Sequence, residues 1–399
     1  TFLDRGLPLD HWLPLGRGLP DWRFLRGHSY HKEIFYINSI MSGGALVQLV
    51  SKGVQDGFCL DTNSFFHDKY SRHSNFTQAP SRIDIVGTIA SGSRTEVEIT
   101  KQGDLINYMW IEGTNIVDYL AGTTFELHIN QQVVDTQTFE YMSEIWGVYL
   151  ADNRAKASMM NSIISKSDKN FFPLQFFFTQ ANRFMPLVNM QYAKISVVIK
   201  WGPNISGTTP RVYGNYIYLD TAEREYLANN EMNLLITQVQ REAHQVDDGN
   251  VKLDMSSLNH PVKALFWGQD ATGADPATDY FTFDTATIML NGKPVTERMS
   301  PTYYHSVQGY FHTTDGNINF VNANGTPFYT RYFMYSFAKN ATNYEPTGEC
   351  NFSRMDNASL HLDTMRRPTS KQSQNIQVYA INYNILRISK GISGILFSN

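Results

Sequence analysis

Side-chain polarity alternates along nearly the whole length of one segment, Ile376-Gln377-Val378-Tyr379-Ala380-Ile381-Asn382-Tyr383-Asn384. Shorter stretches at 95–99, 125–129 and 195–200 repeat the pattern, with Val97 and Ile99 sharing one face of the first of them. A side-chain period of two indicates a β-strand that turns one face inward and the other outward. The high content of Phe and Tyr (25 and 22 residues) also favours pleated structure.

Both halves of the chain carry many such runs. The first half adds 216–220, 234–239 and a Phe-Phe-Phe run at 176–178 that we expect to be fully buried. The second half has runs at 262–267, 287–290, 328–337, 359–362 and 376–386, and Asn291-Gly292 is a strong tight-turn signal. Many short strands separated by turns predict an all-β protein of two tandem jelly-roll β-sandwiches, with short helices in the loops.

The organisation expected from these runs has four parts. Residues 1–58 form an N-terminal arm, 59–243 the first jelly roll, 244–258 a polar linker around Asp247-Asp248-Gly249-Asn250, and 259–399 the second jelly roll. Within the arm, 41–58 is a short amphipathic segment that reads as a single helix. Thr221 is expected to cap a short helix at 222–227. Residues 1–40 are either an ordered arm beneath neighbouring subunits or an extension ahead of Met41.

Charge and cysteine content limit the function classes. The formal net charge is -4 and no long run of Lys or Arg occurs, so direct binding of nucleic acid is not expected. The two cysteines, Cys59 and Cys350, lie too far apart for a disulfide framework or a short-spaced metal site, and we interpret them as free thiols in a reducing compartment. No secretory signal and no apolar run near ~20 residues is found, so no transmembrane segment is expected.

Few features of the sequence indicate an enzyme. The carboxylate pairs Glu96/Glu98 and Asp247/Asp248 are interpreted as solvated surface charge, since a glycosidase needs two carboxyls held across a cleft in different environments. His305 and His312 lack a third ligand at metal spacing. Neither a nucleophile elbow nor a phosphate-binding Gly loop occurs. We therefore expect no enzymatic activity, no cofactor and no metal.

Several strings, taken in order, resemble the major capsid proteins of nucleocytoplasmic large DNA viruses, especially those of algal and amoebal giant viruses. Together they span roughly 41–399. They are 43–50 (GGALVQLV) with Gln55-Asp56, 72–76 (RHSNF), 216–220 (YIYLD) with Glu223-Arg224, 258–263 (LNHPVK), 348–358 (GECNFSRMDNA), 379–387 (YAINYNILR) and 394–399 (GILFSN).

The resemblance implies a double jelly-roll subunit whose homotrimers have a pseudo-sixfold outline and tile an icosahedral shell together with neighbouring capsomers. It further implies minor capsid proteins beneath the shell as partners, and a place in the virion after assembly in the host cytoplasm. Proteins of this family begin near the position of Met41, so the resemblance does not account for residues 1–40.

Four residues in these strings are candidates for contacts. Arg72 and His73 follow a short turn, where they either contact a neighbouring subunit or form a local ion pair or cap. Arg354 and Asp356 sit two apart on one face of a segment read as extended, and are expected to tie the last strands together.

Six Asn-x-Ser/Thr triplets mark candidate glycosylation sites. Asn204, Asn324 and Asn340 are the better candidates, because the first two lie in loop-like sequence. Asn75, Asn351 and Asn357 are weaker, since they fall in strings that look packed.

Two alternatives to a shell subunit stay open at this stage. The first is a carbohydrate-binding or carbohydrate-active protein of two jelly rolls, because such folds serve both roles. It would carry aromatic residues along an exposed groove and bind glycans as a monomer. The second is a minor capsid or vertex protein of the same viruses, which would differ in copy number.

Overall fold

The structure is a computed structural model, and it describes residues 44, 47, 50, 51, 73–160, 169–180, 182–269, 281–314, 332–366 and 375–397. It divides into two compact units, Thr1–His73 and Ser74–Asn399. In the first unit the described residues Gly44, Val47 and Val50 are helical, within the segment read as a helix. Every strand of the described residues lies in the second unit.

The first half of that unit is a sandwich of two antiparallel sheets. Sheet 1 has the order β1-β10-β4-β7, with β8 also paired to β4, and sheet 2 has the order β2-β3-β9-β5-β6. Strands of sheet 1 are β1 (Phe76–Ile83), β4 (Leu105–Glu112), β7 (Phe171–Pro173), β8 (Met185–Pro186) and β10 (Arg211–Leu219). Strands of sheet 2 are β2 (Ile85–Val86), β3 (Arg94–Glu98), β5 (Thr124–Ile129), β6 (Gln132–Thr138) and β9 (Ile195–Lys200).

The second half repeats this architecture. Sheet 3 has the order β11-β19-β13-β16, with β17 on β13 and β20 on β19, and sheet 4 has the order β12-β18-β14-β15. Strands of sheet 3 are β11 (Met232–His244), β13 (Pro261–Gly268), β16 (Tyr332–Ser336), β17 (Cys350–Asn351), β19 (Ile376–Ser389) and β20 (Ile392–Ile395). Strands of sheet 4 are β12 (Gly249–Asp254), β14 (Thr285–Leu290), β15 (Lys293–Pro294) and β18 (Ala358–Met365). The predicted double jelly roll is confirmed.

Short helices occupy the connections, as expected. In the described part of the second unit, the α-helices are α1 (Ile116–Tyr119), α2 (Arg154–Met160), α3 (Thr221–Asn229) and α4 (Gln308–His312). Two segments of that part are π-helical, Tyr141–Leu150 and Tyr303–Val307, and three are 3₁₀-helical, Phe177–Thr179, Leu187–Asn189 and Phe352–Arg354. The π-helix Tyr141–Leu150 is almost wholly buried, and the sequence analysis did not predict it.

Two hydrophobic cores form, and they divide sheet 3 between them. The inner core of the second jelly roll contains one face of that sheet, including Leu265, Trp267 and Val378. The other face, including Phe266 and Tyr379, joins the core of the first jelly roll. Consequently the segment 376–384 is buried on both faces, and the expectation that one face of this strand is exposed is wrong.

The predicted linker at 244–258 also differs from the structure. Strand β12 lies inside it and pairs with β18 from Gly249 to Asp254. Strand β11, assigned by the sequence to the first jelly roll, pairs along its whole length with β19. Three of the six residues of β12 are exposed and have charged or amide side chains, namely Asn250, Lys252 and Asp254, and such a composition resembles a linker.

Two local predictions concern caps and turns. Helix α3 starts one residue earlier than expected, with Asp220 as its N-cap, and the Asp220 Oδ1 accepts a hydrogen bond from the Thr221 N–H at 2.8 Å. The predicted capping role of Thr221 is therefore wrong. Asn291-Gly292 does form the tight turn between β14 and β15, and both residues have positive φ (48° and 74°).

Candidate interaction surfaces

The four residues singled out as contacts do not converge on one site. Arg72 lies outside the described residues, and His73 is exposed at the end of the first unit. Arg354 ends the 3₁₀-helix Phe352–Arg354, so the premise of an extended segment is wrong there. Both Arg354 and Asp356 are exposed, and no ion pair joins them within the described part of the chain. The Asp356 backbone N–H instead donates to Asn291 Oδ1 at 3.0 Å.

Three of the candidate glycosylation residues are exposed. Asn204 sits in the turn between β9 and β10, as its sequence suggested. Asn75 and Asn357 are also exposed, which contradicts the view that their strings are packed around them. Accessibility therefore ranks these two with Asn204.

Two other acceptors use their side chains within the fold. Asn340 Oδ1 accepts from the N–H groups of Thr342 and Asn343, and its Nδ2 donates to Thr314 Oγ1 at 3.1 Å. Asn351 Oδ1 accepts from the Ser353 N–H and caps a 3₁₀-helix. Glycosylation at either amide would disrupt these turns. Asn324 lies outside the described residues.

The buried boundary between the two jelly rolls, here called the seam, carries hydrogen bonds as well as apolar contacts. Tyr149, on the π-helix Tyr141–Leu150, donates through its hydroxyl to the Tyr332 carbonyl at 2.6 Å and packs its ring on Phe266. Asp135 Oδ1 on β6 accepts from the Val239 N–H on β11 at 2.8 Å.

Asp135 is a carboxyl in the middle of the seam. Burial raises its pKa to about 6, against the opposing effect of hydrogen bonds from Val239, Gln137 and Thr136. No sequence pattern pointed to this residue, since Asp135 is one polar position of an ordinary alternating strand.

A large cavity opens along the seam, with a volume of about 1160 Å³. Its wall includes Trp146 and Leu150 from the π-helix, Met160 from α2 and Ile381 from sheet 3. Lys263 also lines it, although only 4% of that residue is exposed. A lysine within the apolar strand β13 is visible in the sequence and could have indicated a special site. Lys263 entered the sequence prediction only as part of a family string.

A network of ion pairs lies on the outer face of sheet 2. Glu126 contacts Lys200 and His128, and Lys194 bridges Glu96 at 2.8 Å and Glu98 at 3.7 Å. Burial raises the pKa of Glu126, but hydrogen bonds from Lys200 and His128 outweigh it, so the net pKa is lowered. The pair Glu96/Glu98 thus lies in a surface ion network, as the sequence interpretation held. Such a face suits contacts with charged neighbours.

An exposed aromatic pair lies on α4 of the second jelly roll. Tyr310 and Phe311 are 74% and 69% exposed, and their rings meet edge to face with centroids 4.9 Å apart. Exposed aromatic residues of this kind are enriched at protein–protein interfaces. No sequence pattern pointed to this pair.

Helix length and possible metal ligands are the last two features of the described ranges. No helix there is long and apolar enough to cross a bilayer. Within those same ranges, His, Cys, Asp and Glu side chains form no group of three that could hold a metal ion.

Comparison with known families gives two matches that follow one another along the chain. The model described as "Major capsid protein N-terminus" matches residues 64–220, and that described as "Large eukaryotic DNA virus major capsid protein" matches residues 223–394. Their boundary at 220–223 falls between β10 and β11, where sheets 1 and 2 give way to sheet 3.

Individual relatives agree with these matches. A major capsid protein of Pyramimonas orientalis virus is 29% identical, over 90% of this chain and 100% of the relative. One from Paramecium bursaria Chlorella virus 1 is 26% identical with the same coverage. Among solved structures, a chain of "PBCV-1 virus capsid, quasi-atomic model" aligns with a TM-score of 0.69 and 24% identity, covering 84% of this chain and 100% of that one. The similarity to this solved structure shows the fold alone.

Proposed function

This chain belongs to the major capsid protein family of large eukaryotic DNA viruses, and on that premise we propose that it builds the viral shell as a homotrimer with a pseudo-sixfold outline. Full-length relatives that carry the name major capsid protein favour a capsid subunit over the carbohydrate-binding alternative. The family is structural, and no enzymatic role is assigned to the chain.

The observation that carries the trimer proposal is the shared core at the seam. Because one face of sheet 3 completes the core of the first jelly roll, the two jelly rolls belong to one compact unit with a continuous core. Three such bodies around a threefold axis would present six similar wedges, and a near-hexagonal tile can pack edge to edge in a shell. A subunit with a loose hinge between its jelly rolls would not hold that outline.

Sedimentation velocity and light scattering on the purified chain test the trimer. We expect a species of about three times the 45.5 kDa chain mass that persists on dilution to nanomolar concentration. A stable monomer at micromolar concentration would refute the proposal.

The aromatic pair on α4 is the first surface to test as a trimer contact. We expect Tyr310→Ser with Phe311→Ser to weaken association by about 10-fold or more, because hot spots at interfaces are commonly aromatic. Tyr226→Ser, which removes an aromatic ring that is 67% exposed on α3, is the matched control. An unchanged dissociation constant in the double variant would move the contact elsewhere on the subunit.

Further partners follow from the same premise. We propose contacts with neighbouring capsomers and with minor capsid proteins beneath the shell, and assembly in the host cytoplasm. Cross-linking mass spectrometry of purified particles would identify these partners.

Glycosylation is a separate proposal, with Asn204 as the best acceptor because its side chain is exposed in a turn. Peptide mapping should find glycan there and none on Asn340, whose amide is held in a turn. Glycan on Asn340 with none on Asn204 would contradict the ranking.

A further inference from the structure

The cavity along the seam is large enough for a small molecule and mostly apolar on its walls. Its volume of about 1160 Å³ is slightly above the range of about 300–1,000 Å³ that is typical of pockets for one drug-sized ligand. Apolar side chains come from both jelly rolls: Leu150 and Met160 from the first, Val239 and Ile381 from the second. An elongated apolar ligand would contact both.

Lys263 enters this cavity because of an irregularity in β13. The pairing of β13 with β19 shifts register between Val262 and Ala264, which leaves Lys263 as the extra residue of a β-bulge. Bulges redirect a side chain from the regular alternation and are frequent next to binding sites. The Lys263 side chain therefore lines the cavity, although its neighbours along the strand are apolar and buried in the two cores.

The Lys263 ammonium group is poorly compensated. Its Nζ donates to the Asn343 carbonyl at 2.6 Å and lies 5.8 Å from the centre of the Tyr383 ring. No carboxylate of the described ranges pairs with it, and burial alone lowers its pKa to about 8. Buried charges in proteins are normally paired, whereas this amine has no counter-ion among the described residues.

The remaining cations at the cavity wall are already compensated. Arg183 forms an ion pair with Glu345 and stacks on the Tyr344 ring, 3.8 Å from its centre. Lys156 pairs with Asp152 at 2.6 Å. A negatively charged ligand would thus gain most from Lys263.

A second buried polar side chain of the cavity wall, Gln137, also has an atom without a hydrogen-bond partner among the described residues. Gln137 is 3% exposed, and its Nε2 donates to Asp135 Oδ2 at 2.7 Å and to the Gln175 carbonyl at 2.8 Å. Its Oε1 has no hydrogen-bond partner among the described residues. Buried acceptors are nearly always satisfied, so this oxygen marks a polar imperfection in an otherwise apolar part of the wall.

We propose that this cavity binds one long-chain monocarboxylate, with the carboxylate on Lys263 Nζ and the alkyl chain against the apolar wall. The carboxylate supplies the missing counter-charge, and the chain displaces water from apolar surface. Neither gain depends on how the subunit assembles, so the proposal stands apart from the capsid role.

Titration calorimetry of the purified full chain with palmitate, below its micellar concentration, tests the site. We expect one saturable site per chain and an affinity for 1-hexadecanol that is at least about 10-fold weaker, since a hydrogen bond to a charged group is worth about that factor or more. Non-saturable uptake, or equal affinity for the alcohol, would overturn the proposal. Binding only to phosphatidylglycerol vesicles and not to free palmitate would overturn it too, because it would indicate a membrane surface.

Two lysine variants separate the charge from the cavity. Lys263→Met keeps the length and apolar stem, and it should lower palmitate affinity about 10-fold or more while leaving hexadecanol affinity unchanged. Lys252→Met removes an exposed lysine from β12 of the same jelly roll and should bind palmitate as the wild type does. Undiminished palmitate binding by Lys263→Met would refute the role of the amine.

A measurement on the wild-type chain covers the case in which Lys263→Met does not fold. Reductive methylation followed by peptide mass spectrometry reports the accessibility of each amine. Palmitate should slow methylation of Lys263 several-fold and leave Lys252 unaffected. Equal rates with and without palmitate would overturn the proposal.

Discussion

The two faces of sheet 3 are both buried, yet they are buried in different ways. Among the described residues, the core on the face inside the second jelly roll is made of residues of its own half, with Leu265, Trp267 and Phe333 at its centre. The face at the seam contacts the first jelly roll through Phe266 and Tyr379.

The seam mixes these apolar contacts with buried polar groups, of which Asp135, Gln137 and Lys263 are examples. Apolar packing is tolerant of alternative arrangements, whereas buried polar groups are satisfied in few of them. We infer that apolar contacts at the seam supply most of its stability, and that its polar groups fix how the jelly rolls sit together. The inference predicts large effects for apolar truncations there and smaller ones, of either sign, for polar changes.

The largest effect is expected for Phe266→Ala. Phe266 is fully buried at the seam, and removing its ring should lower the free energy of unfolding by about 3–5 kcal/mol, as for other buried Phe residues. Phe333→Ala makes the equivalent cavity in the inner core and should cost a similar amount. Denaturant unfolding at matched protein concentration measures both.

Val86→Ala, at a residue 65% exposed on β2, is the control for that comparison and should change stability by less than about 0.5 kcal/mol. A cost for Phe266→Ala as small as that of the control would mean that the seam is a loose interface and not a core.

Lys263→Met should stabilise the chain at pH 7. The fall in the Lys263 pKa from 10.5 to about 8 corresponds to a cost of at most about 3 kcal/mol. Loss of the hydrogen bond to the Asn343 carbonyl offsets about 1 kcal/mol of the gain. We therefore expect a net gain of about 1–2 kcal/mol, as found when apolar residues replace buried charges.

The pH dependence of that gain checks its cause. Because the folded pKa lies below the unfolded one, the cost is fully present below pH 8 and is relieved as the pH rises toward 10.5. The advantage of Lys263→Met should therefore shrink between pH 8 and pH 10 in urea titrations. A gain that is constant over this range would trace to packing and not to charge.

The sequence predicted the sheets well, because period-two patterns report directly on a strand with distinct faces. Val97 and the Phe-Phe-Phe run at 176–178 are buried as expected. The pattern failed at 376–384 because polar and aromatic residues of that strand are buried against the first jelly roll. A side-chain period identifies a strand, but it does not show whether a second layer covers the outer face.

The errors in organisation have a related cause. The polar composition of β12 reads as a linker, although backbone pairing with β18 defines it as part of a sheet. The seam residues Asp135 and Tyr149 were missed because their importance comes from contacts about 100 and 180 residues away along the chain. Single-sequence patterns report on local periodicity, so contacts of that range leave no trace in them.

A moderate effect is expected from the Asp135 carboxyl. Its pKa in the folded chain, about 6, is above the ordinary value of 3.8, so the folded state binds the proton more tightly than the unfolded state. This group should therefore add stability as the pH falls from about 7 to 4, by about 2 kcal/mol. Asp135→Asn should remove that contribution and flatten the profile, measured by urea titration at each pH. The control Asp118→Asn, at an exposed carboxylate beside Lys169, should keep the wild-type dependence of stability on pH. If Asp135→Asn also kept that dependence, the raised pKa of Asp135 would be contradicted.

The smallest effect is expected for Tyr149→Phe, which removes one hydroxyl from the seam and leaves the ring against Phe266. The lost hydrogen bond to the Tyr332 carbonyl should cost about 1 kcal/mol, well below the cost of Phe266→Ala. Tyr226→Phe, at an exposed ring on α3, is the matched control and should be neutral. If polar groups fix the placement of the jelly rolls, the small loss in stability should come with faster amide exchange along β16 and the π-helix. A loss in stability with unchanged exchange would mean that the hydroxyl contributes energy without restraining the seam, and apolar packing alone would then set the arrangement.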